Sequence, residues 1–152
     1  KSYTNIFEYK DILARAMGGR QAEMMIYGDS GISTGASSDL RSATNIARSM
    51  VNDYGMGVDL RDQVFHEEEG GMFFDRMTRE RPFSEKTAEK IDAEVAALIK
   101  EAVVRAEAIL KANKKPLEEL TQALLEKETI DEAEVTEILK NAKLPKEAKL
   151  HN

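Results

Sequence analysis

The stretch that decides the fold is Phe83–Asn113, "FSEKTAEKIDAEVAALIKEAVVRAEAILKAN". Ala88, Ile91, Val95, Leu98, Ala102, Ala106 and Ile109 recur at spacings of three and four, which puts them on one face of a helix. Ser84 stands just before the first of them, where its hydroxyl can accept a hydrogen bond from an unpaired first-turn N–H. The spacing predicts a long amphipathic helix from Ser84 to about Asn113, and one long apolar face requires other helices to cover it.

The neighbours of this stretch supply them. Downstream, Pro116 suits the first turn of another helix, with Leu117, Leu120, Leu124 and Leu125 expected inward. In "TIDEAEVTEIL" Asp131 precedes Glu134 by three residues, an aspartate form of the capping box, with Val135, Ile138 and Leu139 as the apolar side. Pro145 is expected to end the ordered part, leaving "KEAKLHN" as a tail. Upstream, "GMGVDLRDQVFHEEEGGMFFDRMTRERPF" (Gly55–Phe83) keeps no steady period and reads as a long irregular loop, with at most a short strand near Met72–Phe74. Before it, Ala43, Ile46, Ala47, Met50 and Tyr54 form a helical stripe that begins near Ser37 and is closed by Gly55. A first helix runs from Phe7 to about Tyr27 on Ile12, Leu13, Ala16, Met17, Met24 and Met25, and Gly28 is its stop. Gly18-Gly19 interrupts that helix, and the pair predicts a bend or close packing on a neighbour.

The fold class read from this pattern is mostly α, a helical bundle-like unit. Its parts are 1–83, 84–144 and a tail, 145–152. The chain has 152 residues, 41% hydrophobic and 33% charged, which fits a helix-rich globular domain and not a disordered one. Its net charge of −6 argues against a nucleic-acid partner. No apolar run is long enough to cross a bilayer, and "KSYTNIFEYK" has no apolar stretch of the secretory-leader kind.

Cysteine is absent, which excludes disulfides, thiolate metal sites and a cysteine nucleophile. The two histidines are His66, beside three glutamates in "VFHEEEGG", and His151 near the end. Neither fits an H-E-x-x-H helix, and the run around His66 reads as a solvated acidic loop. No phosphate-binding glycine loop or hydrolytic triad is legible. One junction stands out: "GDSGISTGASSDLRSATNIARSM" (Gly28–Met50) passes from small loop residues into a helix, and Asp39 sits at the change. Asp39 is either a favourable charge at the positive end of a helix or a carboxylate that holds a metal. Glu23, in "GGRQAE", reads as a solvated helix glutamate that can pair with Arg20 three residues before it.

These segments resemble the peptidase domain of FtsH-type ATP-dependent zinc metalloproteases. "GGRQAEMMIYGD" and "ISTGASSDLRSATNIARSMVNDYGM" are similar to that family's G-G-R-x-A-E and S-T-G-A-S-x-D segments and the helix that follows them. "FSEKTAEKIDAEV" and "LEELTQALLEKETIDEAEV" are similar to its later helices, in the same order. The resemblance runs from about Ala14 to about Leu139. It implies a zinc endopeptidase in which two histidines and a glutamate of an H-E-x-x-H helix act with a distant aspartate. Asp39 matches that aspartate. Glu23 matches a position expected close to the metal, and Ser33, Thr34, Gly35, Ala36 and Ser37 match the loop expected to flank the substrate.

No H-E-x-x-H occurs in the 152 residues, so the chain is expected to begin after that helix and to be inactive by itself. "LRDQVFHEEEGGMFF" departs from the family's pattern. For the parent, the resemblance implies an ATPase module using ATP and magnesium, protein substrates and a homo- or hetero-hexamer. It also implies anchoring in a bacterial inner membrane, thylakoid or mitochondrial inner membrane, with this fragment itself soluble. The rival expectation is a non-catalytic helical assembly module derived from the same family.

Overall fold

The computed structural model describes residues 3–29, 34, 37–65 and 83–150. Among them are five α-helices: α1 (Ile6–Tyr27), α2 (Ser37–Asn52), α3 (Glu85–Ala112), α4 (Lys114–Lys127) and α5 (Glu132–Leu139), followed by a 3-10 turn at Lys146–Ala148. The described residues hold no strand, only an isolated antiparallel bridge between Met56 and Arg61. The mostly α expectation is met. The segment around Met72–Phe74 lies outside the described residues.

The helix ends follow from their capping chemistry. Ser84 Oγ accepts from the Thr87 N–H at 3.2 Å, and Asp131 Oδ1 accepts from the Glu134 N–H at 2.8 Å. Asn5 caps α1 in the same way through the Glu8 N–H, at 2.9 Å. Each satisfies an N–H that the helix itself leaves unpaired. At the other end of α1, Gly28 takes φ +71, a left-handed conformation that costs glycine nothing, and its N–H reaches the Met24 carbonyl at 2.8 Å.

The core joins the three long helices. Leu13 and Met17 from α1, Ala43, Ala47, Met50 and Val51 from α2, and Ile91, Val95 and Ala102 from α3 form one cluster. That cluster spans the division at 83/84. Small residues on α2 let it sit close to its neighbours, while Met50 and Leu13 fill the remaining space. Leu98 and Ile99 pack partly buried against the same cluster.

Three local expectations are corrected. First, α1 runs unbroken through Gly18-Gly19, and a Cβ at either position would meet nothing within 4 Å. The pair lies off the face that carries Leu13 and Met17, so no described neighbour demands its smallness. Second, Leu124 and Leu125 are not inward: Leu125 is 73% exposed. Helix α4 packs against α5 and touches α3 at their junction, so only the side carrying Leu117 and Leu120 is partly covered. Third, the end of the chain is not simply a tail. Ala148 is 1% exposed, and its carbonyl accepts from Arg105 Nε at 2.8 Å.

Arg105 is the buried charged residue among the described residues, 7% exposed. Its guanidinium also donates to the Lys10 carbonyl at 3.1 Å and to Asp11 Oδ1 at 2.7 Å. A buried guanidinium has to place its donors, and here one side chain ties α3 to the start of α1 and to the C-terminal turn.

Candidate metal centre

Helices α1 and α2 pack as an antiparallel hairpin joined through residues 28–36. At one end Tyr9 stacks on Tyr54, with ring centroids 5.7 Å apart. Glu23 and Asp39 both lie toward the opposite end, beside the connection. At 1.5 Å of rise per residue, each is about 20 Å along its helix from the tyrosine pair. The hairpin therefore brings these two carboxylates to one end of the molecule, although they are 16 positions apart in sequence.

Asp39 occupies the first turn of α2 and is exposed. Its carboxylate stands where the unpaired N–H groups of that helix favour a negative charge. It makes no hydrogen bond or ion pair with a described residue. Glu23 is half-buried on α1. Thr34 and Ser37 are exposed in front of Asp39. Ser33, Gly35 and Ala36 lie outside the described residues, as do His66 and His151.

Among the described residues, no group of three or more histidine, cysteine, aspartate or glutamate side chains is gathered for a metal. A catalytic zinc takes three protein ligands and leaves a fourth position for water or substrate. Asp39 is chemically suited to be one of three: an oxygen donor at a helix start, accessible from outside and uncommitted to other described groups. Among the described residues, Asp39 has no partner ligands gathered around it to complete such a set.

The sequence reading missed two polar sites. Glu94 on α3 accepts from three consecutive backbone N–H groups: Val58 at 2.5 Å, Asp59 at 2.9 Å and Leu60 at 3.2 Å. Gly57 is buried under this contact, and a Cβ there would collide with Glu94 Oε2. The Gly55-x-Gly57 pair was the available signal, since closely spaced glycines mark sharp turns or close backbone approach. For Arg105 the signal was a lone charge between Ala102 and Ala106 on an otherwise apolar stripe.

The profile of peptidase family M41 matches residues 1–138. The ATP-dependent zinc metalloprotease FtsH of Akkermansia muciniphila is 45% identical over 134 residues, which cover 87% of this chain and 16% of that protein. FtsH 3 of a Synechocystis species is 41% identical over 130 residues, 85% of this chain and 21% of that protein. FtsH of Bacillus subtilis is 38% identical over 140 residues, 91% of this chain and 22% of that protein. The chain thus spans 16–22% of the length of these relatives.

Proposed function

Because this chain belongs to peptidase family M41, we propose that it forms part of the peptidase unit of a longer ATP-dependent zinc metalloendopeptidase and supplies one zinc ligand, Asp39. The observation that carries this reading is the placement of Asp39, exposed in the first turn of α2 at the end of the hairpin shared with Glu23. The two histidines and the glutamate that activates water belong to an H-E-x-x-H helix outside these 152 residues. Bound zinc supplies a water acidified toward pKa ~7 and polarises the scissile carbonyl.

The chain's own residues do the remaining work. Asp39 fixes one corner of the coordination. Glu23, toward the same end of the hairpin, would orient a ligand or a water by hydrogen bonding. Residues 33–37 flank the bound peptide, where Gly35 and Ala36 keep side-chain bulk away from it. The α1–α2–α3 core holds α2 in place, since a ligand must stay within about 0.2 Å of its coordination distance. In the parent, protein substrates reach this site from an ATPase module that uses ATP and magnesium, within a membrane-anchored hexamer of like subunits.

A second reading, a helical assembly module without catalysis, is favoured by the exposed leucines of α4. Reading the gene upstream of Lys1 separates the two, because only the peptidase requires an H-E-x-x-H helix there.

Two substitutions in the parent test Asp39. Asp39→Asn keeps the size and shape of the side chain and gives up only the helix-start charge, about 0.3–1 kcal/mol. It loses zinc and proteolysis, because a neutral amide is a weaker ligand than a carboxylate. Asp39→Ala loses zinc as well, together with the same helix-start charge contribution of about 0.3–1 kcal/mol. The isolated chain, holding only one of the three ligands a catalytic zinc takes, should take up no stoichiometric zinc in calorimetry. An asparagine variant with full zinc content and full activity would reduce Asp39 to a helix-start charge.

A further inference from the structure

A cleft of about 370 Å³ lies between α3, the start of α1 and the turn at residues 56–61. It opens beside α3 near the N-terminal end of α1, away from the Glu23–Asp39 end of the hairpin. Ile6, Met56, Ala93, Ala97 and Leu98 make its apolar lining. Ala93 and Ala97 are one helical turn apart and both exposed, so the hollow exists because α3 carries methyl groups where longer side chains would fill it.

One wall is built to stay in place. The Glu94 carboxylate grips the three amides of 58–60, Gly57 is buried beneath it, and Asp62 donates its N–H to the Gly55 carbonyl at 3.1 Å. A wall fixed before binding reduces the ordering cost that binding must overcome. This turn holds Val58 82% exposed at the edge of the cleft, a large apolar side chain with little cover from its own fold.

The charges around the cleft differ in how far they are already committed. Lys10 pairs with Glu101 at 3.2 Å, and both Glu94 oxygens are occupied by the turn. Arg61 and Lys90 have no ionic or hydrogen-bond partner among the described residues. Asp59 is the remaining uncommitted carboxylate of the lining, so the uncommitted groups are two cations against one anion. An unpaired guanidinium next to an apolar hollow recognises a carboxylate beside a bulky apolar group.

We propose that this cleft docks a peptide segment that places a leucine or phenylalanine side chain on Ala93 and Ala97 and an adjacent aspartate or glutamate on Arg61 and Lys90. The site is independent of Asp39 and stands whether or not the chain serves a zinc peptidase.

The test uses the full 152-residue chain and two fluorescein-labelled peptides. Each carries a Leu-Phe pair, flanked by aspartates in one and by lysines in the other. Fluorescence anisotropy should show saturable binding of the aspartate peptide, about tenfold or more tighter than the lysine peptide. Ala97→Leu, which fills the hollow, should weaken it about tenfold. Arg61→Glu with Lys90→Glu should reverse the preference between the two peptides. Circular dichroism checks that each variant folds. Backbone NMR shifts of the unmodified chain give a readout that needs no variant: the aspartate peptide should move Val58, Ala93 and Ala97.

Four binding or NMR results would overturn the proposal. They are equal binding of both peptides, preference for lysine, no saturable binding of either below about 1 mM, and shifts confined to other parts of the chain. Sedimentation showing that a second copy of the chain covers the cleft would also overturn it.

Discussion

Gly57 and Gly18 show how the same residue type answers to different constraints. At Gly57 a methyl group would strike Glu94 Oε2 and lie 3.1 Å from the Leu60 carbonyl. Gly57→Ala must push the carboxylate off its three amides, so denaturant unfolding should show a loss of about 1–3 kcal/mol. At Gly18 a methyl group meets nothing within 4 Å, and the backbone is helical. Gly18→Ala in this chain should therefore gain about 0.5–1 kcal/mol by the same measurement, through helix propensity and a less flexible unfolded state. Equal losses at the two positions would refute the distinction. Tyr9 offers a residue-scale test in pH. Burial, then the neighbouring Tyr54 hydroxyl, raises its pKa above the ordinary value of 10.0. Below pH 10 both folded and unfolded chains carry neutral Tyr9, and it contributes no pH dependence. Above that value the unfolded chain loses the proton first, so stability falls with rising pH until the folded pKa is passed. Tyr9→Phe should flatten part of that alkaline fall in a series of thermal melts, and an unchanged slope would exclude Tyr9 as a source.

Helix α3 is the element on which the fold turns, and its two central apolar residues are not equivalent. Ile91 is buried in the cluster, whereas Leu98 is partly buried and also lines the cleft. Ile91→Ala should cost about 2–5 kcal/mol. Leu98→Ala should cost less, because part of its surface already meets water, and a larger loss at Leu98 in denaturant unfolding would reverse this account. This helix was legible because every signal in it agrees: a capping serine, an unbroken period and no glycine or proline. Helix α5 was legible through Asp131 for the same reason. The inward side of α4 was only half legible, since periodicity states which residues share a face but not how far a partner covers it; Leu117 and Leu120 meet a neighbour and Leu125 does not. The Glu94 latch showed only in Gly55-x-Gly57, which marks a tight turn and not what grips it. Its partners are 34–36 positions away and are backbone amides, which carry no side-chain signature. Asp39 is the mixed case. Helix-start chemistry alone left two readings open, and only the order of separated motifs pointed to a ligand.

On the scale of the whole molecule, the C-terminal turn should act as a strap and not as a loose end. Arg105 Nε has the Ala148 carbonyl as its acceptor, and Ala148 itself is buried. Pro145 ended the legible helix pattern, but a short turn that docks through one alanine and one carbonyl has no periodicity to read. Removing residues 145–152 exposes the guanidinium's packed edge and leaves Nε to water or unpaired. The contacts to Lys10 and Asp11 remain, and Asp11 is exposed enough for its charge to be screened. The net loss should be about 1–3 kcal/mol. At about 2–4 °C per kcal/mol for a chain of this size, the melting temperature should fall by several degrees. Arg105→Ala should cost at least as much, because it strands the Lys10 and Ala148 carbonyls together. The decisive measurement is the combination. If the strap works through Arg105, truncation in the Arg105→Ala background should cost distinctly less than in the parent chain, a coupling of about 0.5–3 kcal/mol in the double-mutant cycle. Hydrogen exchange should locate the effect: protection should fall first at the start of α1 and the second half of α3, while Ala43–Val51 of α2 keep theirs. Additive losses, or protection lost evenly across all three helices, would mean that the turn merely rests on the surface and that Arg105 holds α1 to α3 without it.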